Sequence, residues 1–181
     1  MQSIITVDRH APSELRDMAI SCSITGNPRL RELYPCFDSW IAEKVVPGLN
    51  DGTRDIIVSI TNNLISGFAI IKKERNEKKL CCLRVLEEYQ NRYGIGDKLF
   101  RRSFELLDTD KPLLSISEDM LPRYEKLFTH YGFAIEGVYP EYYRPKKTEF
   151  CYNGELDPHS ADKSDSSEKG SYDILGGEHG S

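Results

Sequence analysis

The sequence predicts one α/β domain with a mixed, largely antiparallel central sheet flanked by helices. The chain has 181 residues, of which 39% are apolar and 10% aromatic, and this suits one well-cored domain. Strand-like and helix-like periodicities alternate in the order βααβββαβαββ. The three consecutive strands are joined by short turn-forming segments, so the centre of the sheet is predicted to be antiparallel and to lead into a βαβ crossover.

The N-terminal half supplies the first strand, two helical regions and the strand triplet. A strand is predicted over 3–7, and apolar residues recur at helical spacing over 12–22. A second helical region follows, which Pro35 interrupts. The three strands are predicted over 54–60, 64–71 and 80–86.

The C-terminal half begins with an amphipathic helix that starts at Gly94 and Gly96 and carries Leu99, Phe100 and Phe104 on one face. The remaining elements are predicted as a strand over 111–117, a helix over 118–131, and strands over 132–139 and 148–154.

The charge separates a domain at 1–154 from an acidic tail at 155–181. Seven of the 29 acids but only two of the 24 bases lie in that tail, so the tail carries the whole formal charge of −5. The tail is rich in Ser and Gly and is predicted to be disordered. A formally neutral domain argues against nucleic acid as a partner, because binding it needs several cations on one face.

Other composition features exclude further classes. No apolar run approaches the roughly 20 residues that span a bilayer, and the N-terminus lacks the pattern of a secretory signal. We therefore predict a cytoplasmic protein with no membrane partner. The five cysteines form neither a CxxC pair nor a zinc-like cluster with histidine, so no metal site is predicted.

The segment YQNRYGIGDKLF (89–100) places two glycines between a predicted strand and a predicted helix. This arrangement suits phosphate, because helix N-terminal amides and the positive end of the helix dipole face the anion. Asp97-Lys98 excludes a P-loop, which needs Lys-Ser/Thr after the glycine. Leu99, in place of a third glycine, excludes a dinucleotide fingerprint. A coenzyme A pyrophosphate loop and a purely structural tight turn remain.

Two segments resemble signatures of the GCN5-related N-acetyltransferase (GNAT) superfamily. LRVLEEYQNRYGIGDKLF is similar to its cofactor segment, a strand followed by Gln/Arg-x-x-Gly-x-Gly/Ala and a helix. LFTHYGF (127–133) is similar to its second signature, a helix ending in Gly-Phe. The order of elements agrees over residues 1–153. The resemblance implies a single GNAT-like domain with a splayed strand pair at the cofactor groove.

The resemblance implies acetyl-CoA as co-substrate. The pantetheine arm is expected along the strand at Leu83 and Val85, and the thioester in the gap beside the strand LLSIS. Asn91 stands where the family has Gln or Arg, and Gln90 replaces it only if Tyr93 lengthens the loop. The pyrophosphate is expected on the loop residues Asn91, Arg92, Tyr93, Gly94, Ile95, Gly96, Asp97 and Lys98, with Lys98 adding charge.

The catalytic residues follow the family less closely. The usual general-acid tyrosine corresponds to Phe128, which cannot donate a proton, so Tyr124 one helical turn earlier is the candidate acid; a core tyrosine is the alternative. The leaving thiol has a pKa of about 8.5 and an attacking amine about 10.4, so a general base matters more. Glu118 is the candidate base, with Glu87 or Glu88 as alternatives.

The acceptor pocket is expected in the loop 139–147, where Tyr139, Tyr142 and Tyr143 could line it, with Trp40 on the opposite wall. The alternatives are a proline-stiffened loop with exposed aromatics and a core tryptophan.

The sequence thus predicts direct acetyl transfer from acetyl-CoA to an amine of a small molecule or a protein. No cysteine or serine has an evident histidine partner that would make it a covalent nucleophile. A catalytically degenerate, CoA-binding module that docks a partner is the alternative, and an RNA- or protein-modifying enzyme of the toxin type is a third. A homodimer is also left open.

Overall fold

The computed structural model describes residues 1–26 and 29–156. Of the predicted tail only Glu155 and Leu156 are described, and Leu156 packs with Tyr142 and Cys151 in a small buried cluster. The disorder predicted for the tail lies outside the described residues. No helix in the described part of the chain is long and apolar enough to cross a membrane.

The elements follow the predicted order, with the second helical region divided into short helices. They are β1 (Gln2–Val7), α1 (Ser13–Thr25), α2 (Arg29–Leu33), α3 (Phe37–Trp40), a π-helical stretch (Ile41–Val45), α4 (Val46–Asp51), β2 (Arg54–Thr61), β3 (Leu64–Glu74), β4 (Glu77–Val85), a 3₁₀ turn (Glu87–Tyr89), α5 (Ile95–Leu107), β5 (Leu114–Ser117), α6 (Leu121–His130), β6 (Ile135–Pro140) and β7 (Thr148–Tyr152).

Three predicted start points in the C-terminal half need correction. The strand predicted from 111 begins at Leu114, because Pro112 has no amide to donate to a ladder. The helix predicted from 118 begins at Leu121, since the amides of Met120 and Leu121 close turns onto Ser117 and Glu118. The strand predicted from 132 begins at Ile135.

The sheet has two antiparallel parts. Strands β1 to β4 form a four-stranded meander in sequence order, and the turn between β2 and β3 has both Asn62 and Asn63 at positive φ. Such a turn matches the twist of the flanking strands. The second part has three strands in the order β5-β7-β6. The architecture is thus assembled from two sheets rather than from one continuous ladder.

The two parts meet at one parallel bridge between β4 and the residue before β5. The amide of Leu80 donates to the carbonyl of Leu113 at 2.9 Å, and the amide of Leu113 donates to the carbonyl of Lys78 at 2.9 Å. Beyond this point no further bridge joins β4 to β5 among the described residues. The two strands therefore separate, which is the splayed pair that the sequence resemblance implies.

Alternation along the strands divides the apolar side chains between two cores. Ile56 and Val58 of β2 face α1–α4, whereas Ile57 faces α5 and α6. On β3, Phe68 faces the helices α1–α4, and Ala69 faces α5 and α6. Helices thus cover both faces of the sheet.

The helix α5 lies against β3 and β4 through fully buried residues such as Leu99, whose Cδ1 atom lies 3.3 Å from the position of a Cβ built on Gly67. The opposite face of the helix carries Arg101, whose side chain is 70% exposed and pairs with Asp97.

We expect Leu99→Ala to lower the free energy of unfolding by about 2–5 kcal/mol, because it leaves a cavity between α5 and the sheet. Arg101→Ala is the matched control on the exposed face and is expected to change stability by about 0.5 kcal/mol or less. Urea unfolding followed by circular dichroism measures both. Equal losses in the two variants would contradict this packing.

Candidate functional site

The glycine loop adopts a conformation that few residues favour. Asn91, Tyr93 and Gly94 have φ of +59°, +61° and +59°. A Cβ added to Gly94 meets nothing within 4 Å, so the demand at this glycine is conformational rather than steric. For a Cβ added to Gly96, the nearest atom is Cγ2 of Val85 at 3.8 Å, which is an ordinary contact.

The loop leaves the N-terminus of α5 open. No side chain caps this end, and the first bond within the helix runs from the amide of Lys98 to the carbonyl of Gly94 at 3.1 Å. The amides of Ile95, Gly96 and Asp97 therefore lack the partners that a helix interior would give them. These three residues line a surface cavity.

This outer cavity is lined by residues of β4, the glycine loop and α6, namely Leu83, Arg84, Val85, Gln90, Asn91, Arg92, Gly94, Ile95, Gly96, Asp97, Arg123, Tyr124 and Leu127, together with Arg29 and several neighbours. Arg29, Arg92 and Arg123 give it positive charge. Gln90 faces it, since its Nε2 donates to the carbonyl of Val85 at 3.3 Å and its Oε1 accepts from Arg123 at 3.0 Å.

Two of the loop side chains lie away from the outer cavity. Tyr93 is 55% exposed and does not line the outer cavity. Lys98 also lies outside it, and its ammonium group donates to the side chain of Gln2 on β1. Positive charge on the cavity comes from Arg92 in the loop itself and from Arg29 and Arg123, which are distant from the glycines in sequence.

A β-bulge in β4 determines which main-chain groups face the gap. The pairing of β3 with β4 shifts register between Ile70 and Ile71, and Cys81 is the extra residue. Leu86, after the bulge, donates its amide to the carbonyl of Ser66 on β3 at 3.0 Å. Alternation along the ladder then directs the main-chain groups of Leu83 and Val85 away from β3 and towards the gap.

A second, inner cavity occupies the gap between β4 and β5 and extends under α2 and α3. Its lining includes Leu30, Tyr34, Phe37, Trp40, Lys79, Leu80, Cys82, Leu83, Arg84, Ser115, Ile116, Phe128 and Tyr143. The inner and outer cavities share Leu83, Arg84, Phe100, Met120 and Tyr124. They therefore meet where the strands separate.

Tyr124 lies at this junction, as required of the candidate acid. Its ring stacks on Phe128 with centroids 5.9 Å apart, and the guanidinium of Arg123 lies 5.8 Å from its centroid. The ring is half-buried, and its hydroxyl makes no hydrogen bond to any described residue. Phe128 is 4% exposed and belongs to the core, although it also reaches the inner cavity.

Glu118 does not reach either cavity. Its carboxylate accepts the amide of Thr148 at 3.1 Å and pairs with Lys147 at 3.2 Å. The bond from Thr148, followed by that from Lys147, lowers the pKa of Glu118. A carboxylate that is held away from the gap and is hard to protonate is a poor base, so the structure does not support the role expected for Glu118.

Glu149 on β7 is the carboxylate that the sequence analysis missed. It is 3% exposed, and its Oε1 has no hydrogen-bond partner among the described residues. Burial raises its pKa to about 7, against the opposing effects of Ser115, Lys79, Arg144 and Tyr34. Three of these four neighbours, Ser115, Lys79 and Tyr34, line the inner cavity. A charged residue on the buried side of a short strand was the available signal.

The expected acceptor residues divide into two groups. Trp40 and Tyr143 line the inner cavity, and Tyr143 packs edge-on against Tyr34 at 5.4 Å between centroids. Tyr142 is 5% exposed and lies with Tyr139 in the small cluster around Cys151, outside both cavities. The tyrosine-rich loop thus contributes one ring to the cavity, because its other rings close the β6–β7 end of the fold.

Within residues 1–26 and 29–156, no group of three or more His, Cys, Asp or Glu side chains is placed to hold a metal ion.

Comparisons by sequence and by structure give different results. No family model and no curated protein matches the sequence. The ribosomal-protein-S18-alanine N-acetyltransferase from Escherichia coli is similar in structure, with a TM-score of 0.62, 15% identity, and coverage of 84% of this chain and 92% of that one.

Two further solved structures match over nearly their whole length. An aminoglycoside 6'-N-acetyltransferase complexed with coenzyme A has a TM-score of 0.60, 15% identity, and coverage of 86% of this chain and 99% of that one. An acetyltransferase of the GNAT family from Bacillus cereus has a TM-score of 0.57, 20% identity, and coverage of 87% and 99%. At these identities the likeness concerns the fold, and the chain has the GNAT acetyltransferase fold.

Proposed function

We propose that the protein is an acetyl-CoA-dependent N-acetyltransferase that transfers the acetyl group directly to an amine. The observation that carries this proposal is the meeting of the two cavities at the point where β4 and β5 separate, with Tyr124 at the junction. One cavity offers cations and open helix amides, and the other is largely apolar. The acetyl donor and the amine acceptor would therefore bind in separate cavities that meet at one point.

The outer cavity fits the pyrophosphate and pantetheine of acetyl-CoA. The open amides at the start of α5, aided by Arg92 and Arg123, suit a bound pyrophosphate. The gap-facing main-chain groups of Leu83 and Val85 suit the amide-containing pantetheine arm, as an added strand would pair with an edge. Bound acetyl-CoA would supply the thioester carbonyl and the thiolate leaving group.

The residues at the gap provide the two proton transfers. Tyr124 is placed to give its hydroxyl proton to the departing sulfur as the carbon–sulfur bond breaks. Ser115, which lines the cavity and interacts with Glu149, is placed to pass a proton from the attacking amine to that carboxylate. A proton acceptor with a pKa of about 7 suits work at neutral pH.

Calorimetric titration with acetyl-CoA and desulfo-CoA tests the cofactor site. We expect binding by the wild type and by Gly94→Ala, whose small side chain has free space, but no binding by Gly94→Trp, whose ring would fill the outer cavity. The left-handed φ costs both variants about 1–2 kcal/mol of stability, so Gly94→Ala controls for backbone strain. Binding by the tryptophan variant would contradict the assigned site, and binding without turnover of any amine would favour the non-catalytic module.

We expect Tyr124→Phe to lower kcat by about 100-fold, near the lower end of general-acid effects because a thiolate leaves readily. The dissociation constant of acetyl-CoA should not change, since the ring and its stacking remain. Tyr139→Phe is the control, as that hydroxyl accepts the amide of Leu156 outside both cavities. An unchanged kcat in Tyr124→Phe would remove the tyrosine from the mechanism.

We expect kcat/KM of the wild type to fall as the pH drops below about 7, where Glu149 becomes protonated. Glu149→Gln should lose this inflection and be about 100-fold slower or more above it. The groups that act on this carboxylate are Ser115, Lys79, Arg144 and Tyr34, and Cys151 lies near it on the same strand. Glu136→Gln, at an exposed carboxylate on β6, is the control.

Stability gives a second readout for Glu149. Its pKa is raised in the folded state, so the stability linked to its proton is complete below the unfolded pKa and is lost as the pH rises through about 7. We expect Glu149→Gln to remove this loss between pH 5 and pH 8 in urea unfolding. Retention of both the kinetic inflection and the stability loss in the variant would contradict the assignment.

A further inference from the structure

The inner cavity carries an imbalance of charge in its wall. Lys79 and Arg84 both line it, whereas no described Asp or Glu does so; Glu149 interacts with the lining residues Ser115 and Tyr34. Most of the remaining lining is apolar or aromatic, including Leu30, Phe37 and Trp40. A ligand with several positive charges would meet two cations there, so the wall disfavours polycationic amines.

Arg84 is the cation whose charge lacks an opposite partner. Its Nη1 donates to the carbonyl of Leu83 at 2.9 Å, and no Asp or Glu among the described residues forms an ion pair with it. Lys79, by contrast, has Glu77 at 4.0 Å and is one of the charges that act on Glu149. A half-buried guanidinium has five donors in a planar fork, and one carbonyl uses only part of that capacity.

Position on the strand places Arg84 on the acceptor side of the gap. Arg84 pairs with Phe68 across the β3–β4 ladder, and Phe68 packs in the core beneath α1–α4. Directly paired residues point to the same face of a sheet. The face beneath α1–α4 is the one that holds Tyr34 and Trp40, which are the walls of the inner cavity.

Arg84 and Glu149 act on the same hydroxyl. The pKa of Tyr34 is raised chiefly by burial and further by Glu149, while Arg84 lowers it. Opposite charges thus lie near Tyr34 without pairing with each other among the described contacts. A ligand with one positive and one negative group would match this arrangement, whereas an amine alone would leave the guanidinium unmatched.

We propose that the acceptor is an amino carboxylic acid with an apolar side chain, whose carboxylate binds the Arg84 guanidinium. The inference rests on the proposed acetyl transfer to an amine and specifies its substrate class. A carboxylate matches the planar fork of arginine in a two-bond contact, and the apolar walls accept the side chain. The amine remains free to face the junction of the two cavities.

The test measures thiol release from acetyl-CoA with L-phenylalanine, L-leucine and L-methionine as acceptors. Each amino acid is compared with its own carboxamide, and spermidine serves as the polycationic probe. The full chain is assayed as wild type, Arg84→Gln and Arg84→Lys. Each amide keeps the amine and the side chain but removes the negative charge. The ratio of the acid's kcat/KM to that of its amide, compared between variants, cancels differences in amine basicity.

We expect the wild type to prefer at least one acid over its amide and to use spermidine poorly. Arg84→Gln should lower kcat/KM for that acid by about 10- to 100-fold, the size of a lost charge-assisted bond, and change the amide by about threefold or less. Arg84→Lys should keep part of the preference, because it keeps the charge but not the fork.

Several outcomes would overturn the inference. If every amide is used as well as its acid, or if Arg84→Gln weakens acid and amide equally, the guanidinium does not bind an acceptor carboxylate. A raised KM for acetyl-CoA with unchanged acceptor preference would assign Arg84 to the cofactor. Calorimetric titration of the acids and amides into the protein with desulfo-CoA repeats the comparison without turnover. Failure of desulfo-CoA itself to bind marks a failure of the proposed function instead.

Discussion

The single parallel bridge between β4 and β5 is the constraint on which the rest of the site depends. Two main-chain bonds at Lys78, Leu80 and Leu113 join the sheets at one end, and beyond it no main-chain bridge joins β4 to β5 in the described chain. A strand that leaves its neighbour exposes amides and carbonyls that must find other partners. The bulge at Cys81 decides which ones are exposed, because it turns Leu83 and Val85 to the open side. The side chain of Arg84 then donates a hydrogen bond to the exposed carbonyl of Leu83, and that of Gln90 donates one to the carbonyl of Val85.

The separation of β4 from β5 also explains how the charged residues Lys79 and Glu149 can be buried. A closed sheet would bury the face shared by Glu149 and Ser117 against apolar neighbours, and ionised groups there would be costly. The open gap instead places Ser115, Tyr34 and Lys79 beside the carboxylate, and these oppose the effect of burial on its pKa. As a result, the pKa of the buried Glu149 is about 7, so near neutral pH both its protonated and its ionised forms are populated. The fold and the proposed function therefore share one geometric cause.

The sequence predicted the local features of this site and not the distant ones. The glycine loop, the helix after it and the strand before it are adjacent in the chain, so their pattern of apolar residues and glycines identified them. Arg84, Glu149 and Tyr34 come together only through the pairing of β3 with β4 and of β5 with β7, which no local pattern encodes. The sequence favours Glu118 as a residue near the gap because it follows a strand that borders the gap. The side chain instead turns to Lys147, on a loop whose position the sequence does not specify.

The same geometry bears on whether the acetyl group passes through a covalent enzyme intermediate. Cys82 lines the inner cavity, but burial raises the pKa of its thiol, and a protonated thiol is a weak nucleophile. Cys81 also lines that cavity, where its sulfur accepts a bond from Arg54 at 3.3 Å. The two histidines of the described residues, His10 and His130, are exposed and lie outside both cavities. None of the three cysteines that line the inner cavity, Cys36, Cys81 and Cys82, therefore has a base of the usual kind. Direct attack by an amine needs only the roles proposed for Glu149 as proton acceptor and Tyr124 as proton donor, and it is therefore the route that this arrangement of side chains favours.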